Sequence, residues 1–465
     1  MPVPARATTP TVAPPSTALL TDRYELTMLD AALRDGAGQR KAVFEMFARG
    51  LPDGRRYGVL AGTRRWLEAL TDFRFRDEEL AYLDDDGVVS PETLTWLADY
   101  RFSGDVDGYR EGELFFPNSP AMTVHGTFAE SVLLESLTLS VFNHDSAIAG
   151  AAARMVQVAE GRILLEFGSR RTHEDAAVAA ARAAVLVGFS GTSNLEAGRR
   201  YGLPTLGTSA HAFSLVYEDE PTAFRAQVAA LGHETTLLVD TYDIPTGIDH
   251  AIDAGGPELS GIRIDSGDLG AEAHRAREQL DAAGLTGTKI VVSGDLDEFG
   301  IERLRGAPVD GYGVGTSVVT GAGAPTAGFV YKLVARALTT DGPLEPVAKE
   351  GGQKATLGGK KEARRALHDG VAAEEVLLPW GAGSDDDGRR LQVPLVRDGE
   401  VVHHPDWEDS RAHHAAVIAE LPPAGRDITP GDPVIPTVVR LPEEVASPPH
   451  DGRHDQGRRP QEVTG

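Results

Sequence analysis

The strongest constraint on what this chain can fold into lies between residues 126 and 335, where short apolar runs recur with helical stretches between most of them. The runs are "RILLEFGS", "AVLVGFSG", "PTLGTS", "TTLLVDTY", "GIRIDSGD", "KIVVSGD" and "VDGYGVGTS"; "HEDAAVAAARAA", "AEAHRAREQLDAAG" and "DEFGIERLRG" read as linking helices. Continuous apolar strands alternating with helices imply a parallel sheet covered on both faces. So many units in so short a span predict an α/β barrel over an open sheet.

The way these strands end gives the chemistry. Each closes on glycine, a small hydroxyl or a charged residue: Phe167-Gly168-Ser169-Arg170, Gly191-Thr192-Ser193, Gly207-Thr208, Asp240, Arg263-Ile264-Asp265-Ser266, Gly294-Asp295 and Gly313-Val314-Gly315-Thr316. A barrel collects the carboxyl ends of its strands on one rim, where its site lies. The run "GVGTSVVTGAG" offers unhindered backbone N–H groups, as a phosphate-binding loop requires, though an ordinary turn has the same composition. Asp265 and Asp295, at neighbouring strand ends, can accept from ribose hydroxyls or hold magnesium together with phosphate oxygens. Asp268 and Asp297 read as capping or turn residues. Arg170 and Arg263 suit carboxylate or phosphate, whereas Arg171 reads more readily as a surface ion pair. His211 follows a tight turn of small residues in "LPTLGTSAHAFSL". With no cysteine partner and no HExxH-like pair, it reads as a base or nucleophile facing the rim.

Charge narrows the partners. Among 465 residues, 45 are basic and 70 acidic, giving a formal charge of −25. That balance argues against generic binding to nucleic acid or anionic membranes, but not against a small anionic substrate. Cysteine is absent, which excludes disulfides, a thiolate zinc site and a cysteine nucleophile. No run approaches the roughly 18 apolar residues of a membrane span and none reads as a signal peptide, so a cytoplasmic protein is expected.

Residues 1–18 and 443–465 are poor in large apolar residues and read as disordered tails. Residues 19–125 suggest a first α/β domain, 126–335 the barrel, and 336–442 a segment rejoining the first domain. The stretch "FAESVLLESLTLSVFNHDSAIAGAAARMVQVAEG" has helical spacing at Leu133, Leu134, Leu137 and Val141 and reads as a pair of core helices. The acidic run "GSDDDGRR" reads as a surface loop.

Taken in order, "TDRYELTM", "FEMFARGLP", "LLEFGSRR", "VGFSGTSN", "GTSAHAFSL", "LLVDTYD", "IRIDSGDLG", "VVSGDLDE" and "GYGVGTS" resemble the nicotinate phosphoribosyltransferases over residues 19–365. The resemblance implies an incomplete α/β barrel beside an α/β sandwich, working as a homodimer with shared sites. It implies that nicotinate and phosphoribosyl pyrophosphate give nicotinate mononucleotide and pyrophosphate, in NAD salvage. It also implies ligase-type coupling to ATP, with magnesium, through a phosphohistidine at His211. Phe167 and Tyr24 match the aromatic pair around the pyridine ring, Tyr24 coming from the other subunit. Arg263 matches the nicotinate carboxylate contact, and Asp265 and Gly294 the ribose contacts. Gly313, Gly315 and Thr316 match the 5′-phosphate loop, and Arg170 a phosphate ligand. Arg49, Lys332 and the lysines of "AKEGGQKATLGGKK" match partner-subunit groups around pyrophosphate and ATP. Ser193 stands where nicotinamide-specific relatives carry aspartate, so the acid is expected over the amide. The cysteine-rich metal cluster at the C-terminus of some relatives has no counterpart. The alternatives are a nicotinamide or quinolinate phosphoribosyltransferase, or a non-catalytic homologue.

Overall fold

The computed structural model describes residues 16–52, 54–349 and 356–442. The expected tails lie outside this range, as does Lys354, except that residues 16–18 are described and Ala18 is fully buried.

The expected barrel is a six-stranded sheet that curls without closing. In spatial order its strands are Gly191–Thr192, Ile163–Glu166, Gly311–Val314, Lys289–Ser293, Gly261–Ile264 and Thr236–Leu238. All pair in parallel, and a bridge from Thr192 to Thr205 extends the edge. The strands are rich in Ile, Val and Leu because helices cover their outer face: Leu164, Leu237, Ile262, Ile290, Val292 and Val314 are all buried in one core. Asp268 and Asp297 cap helices Leu269–Ala282 and Glu298–Arg303 by accepting from the N–H of Ala271 and Gly300.

Two expected strands are corrected: "PTLGTS" contributes only the bridge at Thr205, and most of "AVLVGFSG" is not extended. Residues 184–187 of "AVLVGFSG" continue the helix Glu174–Val187, and only Gly191–Thr192 is extended. An alanine-rich run holds no breaker before Gly188, whose φ of +131° ends the helix. Full burial of Ala177–Val187 makes the run apolar on every side, and a short all-apolar run has no period to tell strand from helix.

The other large sheet has seven strands, all antiparallel. Their order is Leu344–Pro346, Phe329–Ala337, Lys41–Ala48, Met122–Thr127, Asp105–Tyr109, Gln392–Arg397 and Glu400–Val401. It is therefore assembled from three separated parts of the chain, and the strand Phe329–Ala337 joins this sheet, not the half-barrel. A four-stranded sheet from the C-terminal part adjoins it. Residues 385–387 of the acidic run form a 3-10 turn. Helices Arg23–Arg34 and Thr63–Thr71 bury Leu26, Leu29, Trp66 and Leu67 in this domain's core.

One long helix spans the two large cores, as do residues 57–61 and 114–116. After the short helix Phe128–Val132, the helix Glu135–Ala159 places Leu137, Val141 and Phe142 in the first core and Ile148, Met155 and Val158 in the second. At the same joint Arg182 and Glu111, both fully buried, form a two-pronged ion pair at 2.6 and 2.5 Å. Glu111 also accepts from the Gly62 N–H at 2.7 Å.

The helix Trp407–Ala419 brings a buried histidine against the first domain: His414 Nδ1 donates to the Gly112 carbonyl at 2.9 Å. Burial pulls its imidazole down to about 4. The unfolded chain therefore takes up this proton first, so the contribution is nil above about pH 6.5 and stability falls as pH drops toward 4, by up to ~1.4 kcal/mol per pH unit. Urea midpoints measured from pH 7 to pH 4 should show this slope, and His414→Gln should flatten its share of it.

Candidate active site

The carboxyl ends of the parallel strands converge on one cavity of about 500 Å3. Phe167, Arg170, Ser193, Arg263, Asp265, Gly294, Asp295, Gly313, Gly315 and Thr316, all expected at the rim, line it together. Arg171, read from sequence as a surface residue, lines it too.

Arg263 is the centre of the arrangement. Its strand residue lies at a carboxyl end, so its guanidinium reaches over the rim and donates to Thr208 Oγ1 at 2.5 Å and to the Ser209 carbonyl at 3.3 Å. The guanidinium carbon sits 5.8 Å from the centre of the Phe167 ring, and Nη2 is 3.8 Å from Asp265 Oδ1. Burial lowers its pKa, while Asp265 and Asp240 oppose the shift. Its Nε is buried without a hydrogen-bond partner. A desolvated cation with a donor left over is suited to a planar anion such as a carboxylate.

Two glycines make room. A Cβ on Gly313 would come within 2.6 Å of the Phe167 ring, so only glycine lets the ring lie across that strand. At Gly294, φ is +115° and a Cβ would meet the Asp265 carbonyl at 2.8 Å. Asp295 follows at φ +27°, an uncommon conformation for a side-chain-bearing residue, which turns it into the cavity rim. Asp265 accepts from the Ser293 hydroxyl, which fixes the carboxylate at the rim.

His211 opens the helix His211–Val216, directly after cavity-lining Ala210. Its Nε2 lies 3.1 Å from Asp240 Oδ1. A carboxylate only accepts, so Nε2 carries the hydrogen, and Nδ1 is the nitrogen left for other partners. Asp240 is buried and also accepts from the Asp265 N–H at 3.1 Å and the Ser266 hydroxyl at 2.6 Å. Sequence reading noted Asp240 only as a strand end. An aspartate closing an apolar strand beside two other polar strand ends was the available signal. Thr208, like Asp240, stands out in the sequence only as a strand end, and the parts played by Ser209 and Ser293 come from contacts across neighbouring strands.

Tyr24, Arg49 and Lys332 do not line this cavity. Tyr24 is half-exposed on the helix Arg23–Arg34 and borders a separate depression with Glu135 and Leu139. Lys332 Nζ reaches Glu135 Oε1 at 3.4 Å, and Arg49 follows the strand Lys41–Ala48 with a buried, unpartnered Nε. Among the described residues no group of three or more His, Asp or Glu side chains could form a metal cage, and no helix is long and apolar enough to cross a membrane.

Residues 19–143 match the model of the nicotinate phosphoribosyltransferase N-terminal domain, and residues 163–350 match that of the nicotinate phosphoribosyltransferase family. The chain is 56% identical over 430 residues to nicotinate phosphoribosyltransferase pncB1 of Mycobacterium tuberculosis, covering 90% of this chain and 94% of that protein. It is 40% identical over 364 residues to the nicotinate phosphoribosyltransferase of Bacillus subtilis, covering 76% and 74%. The crystal structure of human nicotinic acid phosphoribosyltransferase superposes with a TM-score of 0.77 at 26% identity, covering 92% of this chain and 98% of that one.

Proposed function

The chain belongs to the nicotinate phosphoribosyltransferase family, and from that premise we propose that it joins nicotinate to phosphoribosyl pyrophosphate, with ATP hydrolysis coupled through phosphorylation of His211. The observation that carries the reading is the meeting of Arg263, Phe167 and Ser193 in one cavity. Together they offer a cation, a flat aromatic face and a neutral hydroxyl, the complement of an aromatic acid.

In the proposed reaction the pyridine nitrogen attacks the anomeric carbon of the ribose. The bond to pyrophosphate breaks and its electron pair leaves with the pyrophosphate oxygen. The attacking nitrogen carries no proton at neutral pH, so no general base is required. Catalysis rests on positioning and on stabilising the departing charge. Phe167 stacks on the ring, Arg263 pairs with the carboxylate, and Asp265 with the Gly294 backbone holds the ribose hydroxyls. Gly313, Gly315 and Thr316 hold the 5′-phosphate, and Arg170 meets the pyrophosphate. Asp265 and Asp295 are oxygen donors of the kind that would hold magnesium together with substrate phosphates. That ion would neutralise charge on the leaving group.

His211 takes the γ-phosphoryl group of ATP on Nδ1, with ADP as leaving group, and water later releases phosphate. Asp240 keeps its bond to Nε2–H throughout and offsets the positive charge the ring gains. We assign Tyr24, Arg49 and Lys332 to the cavity of a second copy in a homodimer with shared sites. The half-exposure of Tyr24 and its place outside its own cavity support this. The enzyme would act in the cytoplasm in NAD salvage.

Pyrophosphate release from phosphoribosyl pyrophosphate and magnesium tests the reading, with nicotinate, nicotinamide and quinolinate supplied in turn. Turnover is expected with nicotinate, and ATP should stimulate it in the wild type but not in His211→Ala. Turnover with quinolinate or nicotinamide in its place overturns the substrate assignment. Equal stimulation in the variant overturns the phosphohistidine, and no turnover with any acceptor makes the chain a binding homologue.

A further inference from the structure

Glu166 is the last residue of the strand Ile163–Glu166 and is fully buried directly beneath the rim. Several equally buried carboxylates face a cation, as Glu111 faces Arg182 and Glu113 and Glu375 face Arg365, whereas Glu25, like Glu166, is met by hydroxyls. Among the described residues Glu166 has no ion pair. Its two oxygens are divided between two rim turns. Oε1 accepts from the Gly168 N–H, and Oε2 accepts from the Thr192 hydroxyl at 2.5 Å. Thr192 Oγ1 in turn accepts from the Asn194 N–H at 2.9 Å, and the Glu166 carbonyl accepts from the Ser193 N–H at 2.9 Å. Asn194 closes the circuit by donating from Nδ2 to Ser169 Oγ at 3.1 Å.

Every side-chain bond of Glu166 is therefore an accepted one, and each oxygen answers a donor from a different turn. One turn carries Phe167 and the other Ser193, which line the same cavity from adjacent strand ends. Burying a carboxylate without a cation costs stability, and burial does raise this group's pKa. An apolar residue of similar size would fill the space and keep the backbone bond to Ser193, but would lose both side-chain bonds.

We propose that Glu166 is a positioning residue whose carboxylate sets the spacing between the Phe167 ring and the Ser193 hydroxyl, and with it the width of the slot for the pyridine acid. This rests on the reading of the cavity as the nicotinate site. Glu166 touches no substrate. Its main effect is on how the aromatic acid is gripped: of the groups assigned to phosphoribosyl pyrophosphate, only Arg170 follows a turn that Glu166 holds, and Asp265, Gly294, Gly313 and Thr316 stand on other strands.

Glu166→Gln tests this in the full-length protein. The amide keeps the volume, but its nitrogen can only donate, so the Thr192 hydroxyl must reverse from donor to acceptor and both bonds lose the carboxylate's charge. The KM for nicotinate is expected to rise about tenfold, with a clearly smaller rise in the KM for phosphoribosyl pyrophosphate. Thr192→Val, which removes the bridging hydroxyl, should reproduce the shift, and Thr192→Ser should restore the wild-type KM. These two variants also read the contact if Glu166→Gln fails to fold. An unchanged nicotinate KM in Glu166→Gln and Thr192→Val, or equal rises for both substrates, overturns the positioning role. If the wild type neither binds nicotinate in a calorimetric titration nor turns it over, the reading of the cavity fails instead.

Discussion

Arg263→Ala is expected to lower kcat/KM for nicotinate by about 30- to 5,000-fold, the equivalent of ~2–5 kcal/mol for truncating one member of a desolvated charge pair. The range follows from its surroundings. The guanidinium is largely withdrawn from water, one of its nitrogens lacks a partner, and Asp265 stands 3.8 Å away. Without the cation, the substrate carboxylate would lose its nearest positive charge while Asp265 stays at the same place on the rim, and Arg170 and Arg171, on the turn after Phe167, are left to offset it. Preference for the acid over the amide should collapse at the same time, because nicotinamide never used the charge. Arg263→Lys should fall between, since an ammonium keeps the charge but cannot reproduce the planar fork spanning Thr208, Ser209 and the acid. Steady-state rates with both acceptors read all three effects. A loss confined to phosphoribosyl pyrophosphate would reassign the residue.

Arg182→Ala should leave the cavity intact yet destabilise the protein by ~3–5 kcal/mol, because it strands Glu111 in the joint between the two cores. Glu111 would keep one bond, from the Gly62 N–H, and lose both from the guanidinium. The pair holds the turn before the strand Leu114–Phe115 against the helix Glu174–Val187, which covers the half-barrel. Arg182→Met with Glu111→Leu should recover part of the loss. It removes the stranded charge but leaves the Gly62 N–H without its acceptor. Guanidinium chloride midpoints of the single and double variants check this, and a single variant as stable as wild type would mean water reaches the joint.

The sequence made the rim legible because a barrel strand announces its own end. Apolar residues stop, and Gly, Ser, Asp or Arg begins, so Phe167, Ser193, Arg263, Asp265 and Gly313 could be placed on one face before any coordinates. Residues 184–187 were misread for the opposite reason: apolar on every side, they hold no period that separates a buried helix from a buried strand. Asp240 and Glu166 act by contacts between adjacent strands far apart in the chain, and register is not written in either local sequence. Tyr24 and Lys332 could be singled out only by resemblance. Within one chain they sit on the first domain, around Glu135, away from the cavity.

The seven-stranded sheet has a consequence for how the chain comes off the ribosome. Its strand Lys41–Ala48 is buried along nearly its whole length, and one of its two neighbours is Phe329–Ala337. Synthesis must run through the entire half-barrel before that neighbour exists, and on to residue 397 before the strand Gln392–Arg397 can pair. Domains made during translation ordinarily fold from the N-terminus onward. Here all six strands of the half-barrel are made while the first-made strands still present an unpaired apolar edge, the kind of template on which nascent chains stick together. The segment made earliest is among the last to be satisfied, and the yield of native protein in a cell depends on how that waiting edge is shielded.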